Sequence, residues 1–132
     1  MFPFTKDAGR FLKDEESNAM TGAYRARKRD VGISDDVCVR SEFFGLDQVM
    51  QLISKPGCVG LRVHQAKRRE DDNGTPNESG SLKPRVLLTA VDENGRDITA
   101  RTAQTGLKDD PDDDNTTLGD GFPCPQHCGQ KG

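Results

Sequence analysis

The chain is predicted to be α+β: a small antiparallel β-meander of about three strands packed against one main helix. Three observations lead there. Residues 43–54 carry apolar residues at helical spacing, with Leu46, Val49, Met50 and Ile53 at i, i+3, i+4 and i+7. Residues 58–65 alternate, with Val59, Leu61 and Val63 against Gly60, Arg62 and His64, the period of a half-buried strand. Residues 85–91 (RVLLTAV) form a second β-rich run, followed by Asn94-Gly95, a short hairpin signal.

The elements follow in chain order. Thr5 is placed to cap a short helix through Leu12, and residues 18–29 form a second helical stretch with Ala19, Ala23 and Ala26 on one face. These additional N-terminal helices make up a segment of residues 1–40, before an α+β core over 41–101. The main helix stops at Pro56-Gly57, and its apolar stripe is read as core. His64 then falls on the outward side of the first strand. Residues 67–84 are too polar to fold alone and are read as a long hairpin loop. A third strand is placed through Ile98, and Asn94-Gly95 suggests a type I′ turn with two positive φ angles. Residues 102–132 form an acidic, Cys- and Pro-containing tail expected to be irregular.

Composition narrows the function. Of 132 residues, 32% are hydrophobic and 31% charged, with no tryptophan, so the core is of modest size. The net charge of -3 is unevenly spread: residues 1–69 hold 13 Lys/Arg against 9 Asp/Glu, and residues 70–132 hold 6 against 13. Such polarity gives two solvated faces, or head-to-tail complementarity between copies. No basic start followed by an apolar run marks a secretory leader, and no stretch is long and apolar enough to span a membrane. The default location is therefore the cytoplasm; leaderless export or lysis would place the chain outside the cell.

Four cysteines carry the remaining chemistry. Cys124 and Cys128 have the spacing of half a structural zinc site, and His127 is placed to substitute for one of them; Cys58 and Cys38, or His64, would have to complete the tetrahedron. Equally, Cys38, Cys58, Cys124 and Cys128 are disulfide candidates, within or between subunits, with three complete pairings open. Free thiols on the tail are the third alternative. A thioredoxin-type centre needs Cys-x-x-Cys at a helix start, which is absent.

Other constellations are weaker. The segments DENGRD and DDPDDDN lack the ligand order of a calcium-binding loop. The basic runs at 25–29 and 67–69 have little aromatic interleaving for base stacking, which argues against nucleic acid as a partner. Cys58 and His64 would stand about 20 Å apart on an extended strand, too far for a catalytic dyad. No phosphate-binding loop, dinucleotide fingerprint or small-molecule substrate site is legible.

The motifs FFG (43–45), GCVGLR (57–62), DENGRD (92–97) and CPQHC (124–128) occur in one order. In this the chain resembles a family of small uncharacterised bacterial proteins, chiefly of Bacteroidota, with a Gly-Cys-Val-Gly-Leu/Ile-Arg strand and a C-terminal Cys-Pro-x-x-Cys. The matching positions are Phe43, Phe44, Gly45, Gly57, Cys58, Gly60, Arg62, Asp92, Gly95, Asp97, Cys124 and Cys128. Cys38 is an addition, and the polar loop is longer. The resemblance implies a fold and three cysteine positions, not a reaction. The expectation is a non-enzymatic structural or interaction protein that self-associates as a homo-oligomer or polymer, with cysteine tethers and no cofactor. The alternative is a small zinc-binding or redox-responsive module.

Overall fold

A computed structural model describes residues 3–99, 116–125 and 127–129. The described residues are α+β, with two helices and two small antiparallel sheets. The order is α1 (Asp14–Asp30), β1 (Ser41–Phe43), α2 (Leu46–Ile53), β2 (Gly60–Glu70), β3 (Ser81–Val91), β4 (Thr117–Leu118) and β5 (Phe122–Cys124). The acidic run over 109–115 lies outside the described residues. Two compact units emerge. The first draws on residues 3–8, 44–67, 84–99 and 116–121; the second draws on 9–43, 68–83, 122–125 and 127–129.

The first unit holds the meander β2-β3-β4 and α2. Its core is Leu52, Leu88, Ala90 and Ile98, with Phe44, Cys58, Val86 and Leu118 packed around it. The helix meets the strands as expected but through a different face. Leu52 is buried, whereas Leu46 and Met50 of the expected stripe are exposed. Two turns of helix give too few positions for periodicity to choose the buried side. The third strand is also supplied differently. Ile98 makes only a backbone bond to Ala90, next to an isolated Val91–Asp97 bridge, and Thr117–Leu118 pairs with β3 instead.

The alternation of β2 is present but inverted. Leu61 and Val63 are exposed, and Arg62, His64, Ala66 and Arg68 form the half-buried face. The inversion has a cause in polar partners distant in sequence. The Arg62 guanidinium donates to Asp97 and to the Gly95 carbonyl (2.8 Å), and Phe4 stacks over it. His64 Nε2 stands 3.1 Å from Asp97 Oδ2 and 3.0 Å from Thr89 Oγ1. These bonds satisfy a polar face that would otherwise be costly to cover.

Two turns share one design. In Asp71–Thr75 and again in Asp92–Arg96, the first aspartate accepts two backbone N–H bonds on Oδ1 at 2.9 and 3.0 Å. In each, the fourth residue is a glycine at φ 81° or 80°. Asn94 is not in the left-handed region, so the turn is not type I′; the aspartate side chain and a single positive φ close it. The carboxylate is occupied by its own backbone, which supports the turn reading of DENGRD over calcium. The loop expected over residues 67–84 is shorter in the structure: β2 runs on to Glu70 and β3 starts at Ser81, and turns fill the residues between them.

The second unit contains α1, the β1–β5 ribbon and the end of the β2–β3 hairpin. No helix forms over 5–12; the single helix α1 starts at Asp14 and runs through the expected 18–29 stretch. Its first turn is Asp14, Glu15 and Glu16, its last Arg27, Lys28 and Arg29, which matches the helix dipole. The Gly32 and Ile33 amides bond Arg29 and Lys28 carbonyls and end the helix. Asp35 then binds Arg29 at 2.9 Å, which holds its carboxyl below the usual range. No residue of α1 is buried. The tail expected to be irregular supplies β4 and β5, because each short strand finds a distant partner.

Candidate functional site

The described cysteine chemistry converges on the β1–β5 ribbon of the second unit. The strands pair Ser41 with Cys124, Glu42 with Pro123 and Phe43 with Phe122. Directly opposed positions put both phenylalanines on one face. Their rings stack at 6.3 Å and stay exposed, at 62% and 56%. After Cys124 comes a cis peptide to Pro125, and the His127 amide donates to the Pro123 carbonyl at 2.7 Å. That turn carries Cys128 back onto the ribbon, where it forms a disulfide with Cys124.

The two sulfurs have unequal surroundings. Cys124 is buried, at 1% exposure, and Cys128 is half-buried. Arg40 reaches both residues: its amide donates to the Cys124 carbonyl at 2.9 Å, and its Nη2 lies 3.7 Å from Cys128 Sγ. The same guanidinium donates from Nη1 to the Asp35 carbonyl at 3.1 Å. A groove of about 570 Å³ opens beside the disulfide, walled by Phe43, Phe122, His127 and Cys128. His127 is exposed and its ring lies 5.1 Å from that of Phe122. Chemically the arrangement offers an apolar surface, a cation and an accessible sulfur in one place.

The other candidates lie elsewhere. Cys38 is a free thiol buried in the second unit. Cys58 is a free thiol in the first unit, donating to the Gly60 carbonyl at 3.4 Å. So the structure joins Cys124, Cys128 and His127, and leaves Cys38 and Cys58 out of the disulfide. A disulfide sulfur has no thiolate to offer a metal. Among the described residues, no group of three or more potential metal ligands converges. His64, read as outward from the sequence, lies on the half-buried face of β2 beside Asp97. One ring nitrogen meets both Thr89 and Asp97, whereas a catalytic relay uses opposite nitrogens.

Sequence reasoning did not single out Arg40, Phe43 and Phe122 as neighbours of the cysteines. The available signal was Phe122 two residues before Cys124, a period-two spacing on a three-residue strand. Replacing both Cys124 and Cys128 by serine is expected to cost about 2 kcal/mol, from the chain entropy of so short a closed loop. Urea unfolding of oxidised protein against the double variant checks it, and equal midpoints would contradict a stabilising clasp.

Among the described residues, no helix is long and apolar enough to cross a membrane. No family model matches the chain, and neither a curated protein nor a solved structure shows significant similarity to it.

Proposed function

We propose that the chain is a non-enzymatic interaction protein that binds further copies of itself, with the outer edge of β2 as the contact for a second copy. The observation that carries this reading is the open edge. Among the described residues β2 is the terminal strand of its sheet, and Leu61 and Val63 project from it into solvent, Val63 at 57% exposure. An edge strand presents unpaired backbone groups that template pairing with another chain. Exposed apolar residues beside that edge add a hydrophobic reason to cover it.

Charge favours a second copy as the occupant. Lys67 follows on the exposed side of β2, in a region of the chain with net positive balance. The half of the sequence beyond residue 69 is net negative. In this reading the opposite charge balance of the two halves of the sequence steers encounter between copies. The disulfide acts within the subunit in this reading, as a clasp on the β1–β5 ribbon rather than a bond to a neighbour.

Sedimentation velocity over a concentration series tests the proposal. A dimer or larger species is expected in dilute buffer, weakening in about 1 M salt, where screening acts within about 3 Å. Val63→Lys is expected to weaken association at least tenfold, about 1.4 kcal/mol. A monomer at every concentration in dilute buffer would refute self-association. Unchanged association of Val63→Lys would remove the β2 edge from it.

A further inference from the structure

We propose that the Cys124–Cys128 disulfide is a thiol–disulfide exchange site. Cys128 takes the incoming thiol, Cys124 is the leaving and resolving sulfur, and the substrate is a thiol on an aromatic or aliphatic peptide segment. Exchange of this kind needs no second copy of the chain, so it stands apart from the β2 edge.

Three features at the site support it. First, access is one-sided. Exchange requires a thiolate to reach a disulfide sulfur, and Cys128 lines the groove while Cys124 is buried. Second, the groove is suited to an apolar peptide. Phe43 and Phe122 present stacked, exposed rings beside Cys128, and the volume falls in the range of small-molecule sites. Third, Arg40 Nη2 lies 3.7 Å from Cys128 Sγ. A guanidinium there favours the Cys128 thiolate, against the Glu42 carboxylate that lines the same groove together with His127; the thiolate is the form that acts as nucleophile once the pair is reduced. Neither free thiol shares this setting: Cys38 is buried, and Cys58 donates its proton to the Gly60 carbonyl.

The chemistry balances without any further redox agent. A substrate thiolate attacks Cys128 Sγ. A bond forms between the two sulfurs as the Cys124–Cys128 bond breaks, and its electron pair leaves on Cys124 Sγ, which takes up a proton. A second substrate thiolate attacks the sulfur of the first, releasing a substrate disulfide and the Cys128 thiolate beside Arg40. Two thiols are oxidised to one disulfide, and the protein disulfide is reduced to two cysteines. In reverse, the Cys128 thiolate attacks a peptide disulfide and Cys124 closes the ring.

The test compares two single variants, Cys124→Ser and Cys128→Ser, in reaction with an aromatic disulfide reagent whose released thiolate is coloured. Peptide mapping separates the adducts of Cys38 and Cys58. Cys128 in the first variant is expected to react at least tenfold faster than Cys124 in the second. Adding Arg40→Met to the first variant is expected to move the midpoint of the pH–rate profile upward. A second measurement uses the oxidised wild-type chain, so that folding of the variants is not at issue. It is treated with a Phe-Cys-Phe peptide or with glutathione, acid-quenched and mapped by mass spectrometry. The expected adduct lies on Cys128 and forms several-fold faster with the aromatic peptide. An adduct on Cys124, equal reactivity of the two sulfurs, an unmoved pH profile or no advantage for the aromatic peptide would each overturn the assignment. Sedimentation of the same samples distinguishes its failure from that of self-association.

Discussion

Gly80→Ala is expected to lower stability by about 3 kcal/mol, at the upper end of the cost of overpacking. A Cβ at this position would stand 2.0 Å from the Glu70 carbonyl oxygen and 2.4 Å from its carbon. Both are backbone atoms, so no side chain can rotate away; one strand end must move. Glu70 is poorly placed to move. It is 1% exposed and accepts from Arg68 Nε at 2.9 Å, while Arg68 Nη2 also donates to the Gly74 carbonyl. Shifting the strand would disturb a buried carboxylate and its cation, and such pairs are costly to break. Gly60→Ala is the control: nothing lies within 4 Å of its Cβ and its φ is not positive. It should stay within about 0.5 kcal/mol of wild type. Urea unfolding checks both, and equal midpoints for the two variants would refute the close approach at Gly80.

The same hairpin shows how far the sequence could be read. Local chemistry is legible in part: Asn94-Gly95 marks a turn, whereas the Asp92 carboxylate that closes it, and the identical Asp-x-Asn-Gly pattern at 71–74, emerge only from the fold. The polar surroundings of that repeat give it the sequence character of a featureless loop. Period two in β2 was also legible, but not which of its two faces is covered. Arg62 and His64 gain Asp97, Gly95 and Thr89 as partners, all at least 25 residues away. Pairing of the two tail strands lay further out of reach, since strands of two and three residues carry no periodic signature. At the candidate site, spacing made a Cys124–Cys128 bond one alternative among several. The positions of Arg40, Phe43 and Phe122 around it depend on the ribbon register, which only the fold supplies.

Leu52→Ala is expected to cost about 3 kcal/mol, and Leu46→Ala to stay within about 0.5 kcal/mol of wild type. The contrast separates two readings of α2. By periodicity, Leu46, Val49, Met50 and Ile53 form the buried stripe, and Leu52 lies roughly a third of a turn away from its centre. In the structure Leu52 is 3% exposed, against 73% for Leu46. Truncating Leu52 opens a cavity against Leu88, Ala90 and Ile98, whose backbones are held by the sheet and by the Ile98–Ala90 bond. Those neighbours cannot collapse onto the gap, so both the lost transfer energy and the cavity are felt. Leu46 has no such neighbours to lose. Urea unfolding with unchanged m-values measures the difference as a shift in midpoint alone. A larger loss for Leu46→Ala would return the stripe to the core and remove the apolar surface that α2 leaves in solvent. The predicted order instead leaves Leu46 and Met50, like Leu61 and Val63 of β2, as exposed apolar residues with no role in holding the first unit together.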